Sequence, residues 1–207
     1  VQHLHDFIKA VRLDRAHLVG HSRGGYAVTR LALEHPEVVR CLVIVDSGSL
    51  MAPPNPIYAQ WDQEAARIPD PRERARHPLA RNSYSPAHIT EHYVDVIVEV
   101  NDLPKTREAT AKMSALLEQF KADIIARQQE THQWIREGRL KAPTLIMWGY
   151  NDPSARFDPV GLAALQLVLP SVPHSQMHIL NHAGHHCFSE QPQAFVAAVT
   201  SFIRSNA

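Results

Sequence analysis

The sequence predicts an α/β fold, in which helices flank a mostly parallel sheet, and three observations lead to that prediction. Residues 39–45 and 143–149 are nearly continuous apolar runs, as expected of strands that are covered on both faces. Helix-spaced apolar residues follow the strand patterns, as they do where a crossover helix joins parallel strands. Residues 20–24 place a serine between two glycines where a strand pattern meets a helix pattern.

The predicted elements alternate along the chain as in consecutive βα units. Apolar residues at 1, 4, 7, 8 and 11 form one face of an opening helix. Strands are predicted at residues 16–20, 39–45, 143–149 and 176–180. Further helices are predicted at residues 23–34, 159–169 and 193–203.

The middle of the chain, residues 51–140, differs in composition from both ends. Prolines at 53, 54 and 56 prevent a regular element there. The segment then carries helix patterns and no strand pattern, including a helix at residues 86–97 capped near Ser85 and two more at 106–120 and 122–136. Because ligands bind at the carboxyl ends of open parallel sheets, this insertion between two strands is predicted to be a helical lid. The alternative is a helical domain that does not contact the site.

The domain prediction is therefore a core made of residues 1–50 and 141–207, with residues 51–140 as the lid. The 207 residues are 44% hydrophobic, which suffices for a sizeable core. Lys plus Arg and Asp plus Glu number 21 each, which argues against a nucleic-acid partner. No apolar run reaches the length of a membrane span and no signal peptide is visible, so we expect a cytoplasmic protein without a membrane partner. The two cysteines provide no disulfide framework.

The Gly-His-Ser-Arg-Gly sequence at residues 20–24 fits a nucleophile elbow, the sharp strand-to-helix turn that exposes a catalytic serine. Gly20 and Gly24 are expected to remove side chains that would collide in the strained turn. The hydroxyl of Ser22 would project above the carboxyl end of the strand. The backbone N–H of Arg23, at the helix N-terminus, would point at a developing oxyanion. The alternative is a serine in an ordinary glycine-rich turn.

A serine hydroxyl needs a base to take its proton and a carboxylate to orient that base. The chain offers Ser22, then Asp152, then His185, and the last two each follow a strand directly. All three would emerge at the same end of the sheet. Asp158 is an alternative to Asp152. His182 and His186 are alternatives to His185, which the small residues before it favour.

A metal site is the competing interpretation of the histidine-rich loop. Imidazole and thiolate groups suit zinc, and the loop region offers five such ligands: His178, His182, His185, His186 and Cys187. However, the strand pleat sets the direction of His178, and no carboxylate or cysteine pair is placed to complete a ligand set. We therefore expect no metal and no cofactor.

The sequences at residues 20–25, 148–152 (Trp-Gly-Tyr-Asn-Asp) and 184–185 (Gly-His) together resemble the α/β-hydrolase superfamily, over nearly the whole chain. Within it, the chain is most similar to the meta-cleavage product hydrolases, through the Ser-Pro-Ala-His-Ile-Thr-Glu stretch at residues 85–91 and the Trp-Gly-x-x-Asp loop. The resemblance implies a serine hydrolase that cleaves a C–C bond in a small-molecule substrate, a 2-hydroxy-6-oxo-dienoate from aromatic degradation.

The chain departs from that group at three positions. His21 precedes the nucleophile where the group often has Asn, and His186 follows the base where it often has Trp; both are expected to bind substrate. The group usually has a lid arginine that holds the substrate carboxylate, and its position falls near Ile97 in this chain. Arg81 or Arg107 would then have to take its place. A carboxylesterase or lactonase of the same fold is the alternative that a missing arginine favours. A dehalogenase of the same fold is disfavoured, because the elbow carries serine and not aspartate.

The group also has several strands before the elbow and a loop there that donates the second oxyanion N–H. Only 21 residues precede Ser22 in this chain. The resemblance therefore implies a fragment or truncated form, with the edge of the elbow strand exposed. A homo-oligomer or a missing N-terminal segment would complete the sheet. A truncated, inactive binding or scaffold relative is the alternative from outside the enzymes.

Overall fold

Four parallel strands form one sheet in the order β1-β2-β3-β4, and the α/β prediction is confirmed. The computed structural model describes residues 1–206, so Ala207, the last residue of the predicted core, lies outside the described residues. The strands are β1 (Ala16–His21), β2 (Val39–Val45), β3 (Thr144–Gly149) and β4 (Ser175–Leu180).

Helices connect and cover the strands. The α-helices are α1 (Gln2–Ala10), α2 (Arg23–Glu34), α3 (Gly48–Met51), α4 (Ile57–Ala66), α5 (Pro71–Arg81), α6 (Glu91–Asp102), α7 (Pro104–Ala115), α8 (Leu117–Arg136), α9 (Leu162–Val168), α10 (Cys187–Glu190) and α11 (Pro192–Asn206). Short 3₁₀ turns at Pro36–Val38 and Pro86–His88 and a π-helical turn at Phe157–Gly161 complete the elements. Among residues 1–206, no helix has both the length and the apolar character needed to cross a bilayer.

The sheet has a hydrophobic core on each face, because side chains alternate along β2 and β3. Leu42 and Ile146 belong to the cluster that includes residues of α1, α2, α8 and α9. Val43 and Met147 point to the opposite face, where α11 supplies the covering residues. This covering on both faces explains why the central strands are apolar along their whole length. The strand β1 pairs only with β2 among the described residues, and Val19 on it is 51% exposed.

Residues 57–136 form helices, as their patterns indicate, but some boundaries differ from the prediction. The helix predicted from residue 86 is divided: Ser85 caps a 3₁₀ turn, and α6 begins only after Thr90, whose side chain accepts from the N–H of Tyr93. The helix α5 lies outside the helices that the sequence analysis predicted. Its first proline occupies the first turn, where no N–H is needed, and Asp70 caps it.

Candidate active site

Ser22 lies at the turn between β1 and α2 in a backbone conformation that non-glycine residues rarely adopt, with φ 54° and ψ −121°. Its N–H donates to the carbonyl of Val45 on β2 at 2.8 Å, so the sheet itself holds the turn. Its own carbonyl accepts from the N–H of Gly25 at 3.0 Å and from Ser47 Oγ at 2.7 Å. The surrounding bonds thus fix a strained serine, as the elbow prediction requires.

One of the two glycines predicted to be crowded at this turn is crowded, and the other is not. A Cβ on Gly20 would lie 2.4 Å from Val28 Cγ2, so Gly20 is needed, as expected. A Cβ on Gly24 would meet nothing within 4 Å, so the expectation for Gly24 was wrong. The second crowded position is Gly25, where a Cβ would lie 2.6 Å from that of Ser47. The phase of α2 turns Gly25, and not Gly24, towards the end of β2.

The N-terminus of α2 directs backbone N–H groups towards the space above the strand. The N–H groups of Gly25 and Tyr26 already donate to the carbonyl of Ser22. Those of Arg23 and Gly24 precede them in the first turn, where a helix has no internal acceptors. The predicted oxyanion donor, the N–H of Arg23, therefore lies where a helix end attracts negative charge.

Asp152 lies in the loop after β3, and its side chain is fully buried. Its Oδ1 accepts from the N–H of Ser154 and of Ala155, each at 2.8 Å, and from Ser154 Oγ at 2.9 Å. Burial acts to raise the pKa of Asp152, but the hydrogen bond and charge of His185 and these backbone donors outweigh it, so the pKa lies below its ordinary value. Asp152 is therefore an ionised carboxylate, and the hydrogen bonds to its Oδ1 hold it in one orientation.

His185 lies in the loop after β4, and its side chain is 5% exposed. Its Nδ1 is 2.6 Å from the free Oδ2 of Asp152. This contact fixes the proton of the neutral ring on Nδ1 and leaves Nε2 as the basic nitrogen. The structure thus brings Asp152 and His185 together in the arrangement expected of an orienting acid and a base.

Ser22 is linked to His185 through its neighbour His21. The His21 Nε2 lies 2.7 Å from the carbonyl oxygen of His185, and the two rings are 4.5 Å apart. The hydrogen bonds found among residues 1–206 do not include one from Ser22 Oγ to His185. Catalytic hydrogen bonds are often long in free enzymes and shorten when substrate binds.

Two further histidines beside His185 remain neutral. Burial, then the charge of His185, lowers the pKa of His21 to about 4. Burial and the charges of His185, His21 and His88 lower the pKa of His186 to about 3. The His186 ring lies 5.7 Å from those of His185 and His21 and 5.8 Å from that of His88. Both predicted substrate-binding histidines therefore adjoin His185 without adding charge beside it.

The helical segment contributes contacts that the sequence analysis missed. The carbonyl of Asn82, just after α5, accepts from the backbone N–H of His185 at 2.9 Å. Glu190 joins the same two regions, because its carboxylate accepts from the N–H of Gly184 at 2.8 Å and of Ser85 at 2.9 Å. No local sequence pattern indicates which segment these residues contact.

The alternatives to the two predicted residues occupy different places. Asp158 is exposed, and His182 is exposed and stacked on Tyr84 with ring centroids 5.2 Å apart. Of the residues in the metal alternative, His178 is exposed on β4. Cys187 is buried, and burial followed by the charge of Asp46 raises the pKa of its thiol.

The arginines expected to replace a lid arginine are engaged elsewhere. Arg81 pairs with Glu64 at 3.5 Å and Arg107 with Asp102 at 2.9 Å, and both arginines are well exposed. Arg23 is a further candidate that the sequence analysis considered only for its backbone. Arg23 directly follows Ser22 in the sequence, and its guanidinium lies 5.8 Å from the ring centroid of Phe120 on α8.

Comparison with known proteins agrees with this fold. The family model described as alpha/beta hydrolase fold matches residues 1–192. A 2-hydroxy-6-oxononadienedioate/2-hydroxy-6-oxononatrienedioate hydrolase of Cupriavidus pinatubonensis is 30% identical over 193 residues, covering 92% of this chain. The chain spans 63% of the length of that relative.

Solved structures share the fold. A meta-cleavage product hydrolase from Pseudomonas fluorescens superposes with a TM-score of 0.75 at 21% identity, covering 99% of this chain and 70% of that one. A carboxylesterase from Bacillus subtilis gives a TM-score of 0.72 at 18% identity, covering 99% and 65%. With the matched model, the parallel sheet and the serine turn, these findings show that the chain belongs to the alpha/beta hydrolase fold family.

Proposed function

We propose that this chain carries the catalytic residues of a serine-dependent C–C bond hydrolase of the meta-cleavage type, acting on a 2-hydroxy-6-oxo-dienoate. The observation that carries the proposal is the buried pair of Asp152 and His185, 2.6 Å apart and adjoining the strained turn of Ser22. The choice of substrate class is supported by the names of similar proteins, including the hydrolase of Cupriavidus pinatubonensis.

In the proposed reaction, His185 first helps the dienol substrate to become a ketone. It then takes the proton of Ser22 Oγ as that oxygen adds to the substrate carbonyl. The N–H of Arg23 stabilises the resulting oxyanion. The adduct collapses with cleavage of the C–C bond, and His185 gives the proton to the departing carbon. Water then hydrolyses the acyl group from Ser22, and the enzyme is restored.

The substrate carboxylate needs a cation, and we assign this role to the Arg23 side chain. Its guanidinium follows the nucleophile in sequence and lies over Phe120 of the helical segment, between the proposed nucleophile and the proposed lid. It is not among the arginines that form ion pairs within residues 1–206. An arginine recognises a carboxylate through two parallel hydrogen bonds.

Residues 51–140 are proposed as a lid that encloses the substrate, with residues 1–50 and 141–207 as the core. Support comes from the bonds that join the loop after α5 to the loop of His185. Such a lid shapes the substrate pocket while the strand ends carry the chemistry.

The decisive experiment compares a 2-hydroxy-6-oxo-dienoate with a p-nitrophenyl ester. We expect loss of the dienol absorbance together with equimolar acid and dienoic fragments. Arg23→Met should raise KM for the dienoate by about tenfold or more, because a charged hydrogen bond contributes about 1.5–3 kcal/mol. The same change should leave the uncharged ester unaffected, and Arg81→Met should alter neither.

A carboxylesterase or lactonase is the second candidate. The observation that favours it is Ile97, a partly buried residue of α6 at the position where the resembling group carries its arginine. Turnover of the ester without cleavage of the dienoate would establish this second function and overturn the first.

A further inference from the structure

A second cluster of ligand-type side chains lies at the end of α2 that is remote from Ser22. It consists of His5 on α1, His35 at the C-terminus of α2, and Glu37 in the following 3₁₀ turn. The helix α2 has 12 residues, so Ser22 just before it and His35 just after it are about 20 Å apart at about 1.5 Å per residue. This cluster is therefore separate from the proposed active site.

The three side chains lie close together. The rings of His5 and His35 are stacked, with centroids 3.9 Å apart and planes inclined by 12°. Glu37 Oε1 lies 3.5 Å from His35 Nδ1 and 4.0 Å from His5 Nε2. One ligand atom from each residue lies within 4.8 Å of the others.

The buried member of this cluster lacks hydrogen bonds. His5 is 6% exposed, yet neither of its ring nitrogens has a hydrogen-bond partner. A buried polar group without a partner is costly, because it loses its hydrogen bonds to water and gains none in exchange. A cation bound at Nε2 would satisfy the nitrogen that faces Glu37.

The surroundings of His5 also fit a ligand. Its second nitrogen, Nδ1, lies 3.8 Å from the carboxylate of Asp6. Histidines that bind metals usually donate their other ring N–H to a carboxylate, which orients the ring. The side chains of His35 and Glu37 are 28% and 63% exposed, so a cation and its remaining water ligands have access from solvent.

We propose that His5, His35 and Glu37 form a site for a divalent transition metal of the zinc type, with Asp6 as the supporting carboxylate. Two imidazole nitrogens and one carboxylate oxygen are a familiar zinc donor set, with water completing a tetrahedron. Because the rings of His5 and His35 are stacked nearly parallel, their nitrogens cannot both point at one ion as they lie, and the more exposed His35 ring must turn out of the stack to bind it. The site would tie α1 to the end of α2, independently of catalysis.

The test is a calorimetric zinc titration of the tag-free chain after removal of metals with a chelator. We expect one zinc ion per chain, and cobalt in its place should give the visible absorption of a tetrahedral site. His35→Ala should abolish binding, and Asp6→Asn should weaken it about tenfold. His92→Ala, an exposed histidine on α6, is the matched control and should leave affinity unchanged.

Circular dichroism of the variants separates loss of the ligand from loss of the fold. The thermal midpoint of the wild type should rise with zinc concentration, and that of His35→Ala should not. Zinc affinity that is absent in the wild type, or that survives both His35→Ala and Glu37→Gln, would overturn the proposal. Survival would place the metal among other histidines of the chain.

Discussion

The loops at the carboxyl ends of the strands and the helices of residues 57–136 differ most in how deeply their residues are buried. The side chains of Asp152 and His185 are 0% and 5% exposed, and both carboxylate oxygens of Asp152 have hydrogen-bond partners. By contrast, α5 and α7 contain no buried residue, and α4 contributes only Trp61. The proposed chemistry thus lies on a tightly packed scaffold, while the segment proposed to contact substrate is largely exposed and can vary at little cost in stability.

The largest difference between the two regions should appear in catalysis. His185→Ala should lower kcat by about 10³-fold or more, and Asp152→Asn by about 10²–10⁴-fold, because the base is lost or loses its orientation. The control is His77→Ala in α5, because His77 also contacts a carboxylate, that of Glu64. This change should alter kcat less than about threefold. Steady-state kinetics on whichever substrate is turned over provides the measurement. Comparable losses for His77→Ala and His185→Ala would contradict the proposed base.

A matched pair of leucines compares the two regions in stability. Leu42 on β2 is 0% exposed and Leu117 at the start of α8 is 41% exposed. Leu42→Ala should lower the free energy of unfolding by about 2–5 kcal/mol, because it leaves a cavity in the core. Leu117→Ala should change it by less than about 0.5 kcal/mol. Urea denaturation measures both, and equal losses would mean that the helical segment packs as tightly as the sheet.

Two glycines of the elbow sharpen the comparison within the tightly packed region. Gly20→Ala should destabilise the fold by about 1–3 kcal/mol, because the new methyl group would overlap Val28 and the carbonyl of Gly24. Gly24→Ala adds the same methyl group in open space and should leave stability unchanged or slightly raised. The same denaturation experiment distinguishes them. A larger loss of stability for Gly24→Ala than for Gly20→Ala would contradict the open space described beside Gly24.

The last expected effect is a pH dependence that originates at the strand ends. The pKa of His21 is about 4 in the folded chain and about 6.5 when unperturbed. Between these values the unfolded chain binds a proton that the folded chain does not. The free energy of unfolding should therefore fall as pH falls through this window, by up to about 1.4 kcal/mol per pH unit.

The variant that tests this origin is His21→Gln, which should lower the slope between pH 6.5 and pH 4 and leave the part that His186 contributes. The exposed His92→Gln on α6 is the control and should leave the slope as it is. Denaturant unfolding at a series of pH values gives the slopes. An unchanged slope in His21→Gln would contradict a buried, neutral His21.

The sequence was sufficient to predict the parts of the fold that depend on local pattern. The run at residues 39–45 is a strand because covering on both faces demands apolar residues throughout. Asp152 and His185 were identified because each follows a strand, and parallel strands bring their carboxyl ends to one edge. The helix α5 was missed because proline usually interrupts a helix, whereas here Pro71 begins one.

Contacts between distant segments could not be predicted in this way. The bond from His185 to Asn82 joins backbone groups, which carry no sequence signal. The importance of Gly25 over Gly24 depends on the rotational phase of α2 against Ser47, which a five-residue motif does not specify. The isolated His5 nitrogens likewise become visible only once α1 is packed against α2.

The central claim is that the strand ends of this chain activate Ser22, and one measurement tests it most directly. The chain and its Ser22→Ala variant are treated with a fluorophosphonate probe, and the intact masses are compared. We expect a single fluorophosphonate adduct on the wild type that is absent from Ser22→Ala. No adduct on either protein, or the same adduct on both, would contradict it and favour an inactive relative of the family.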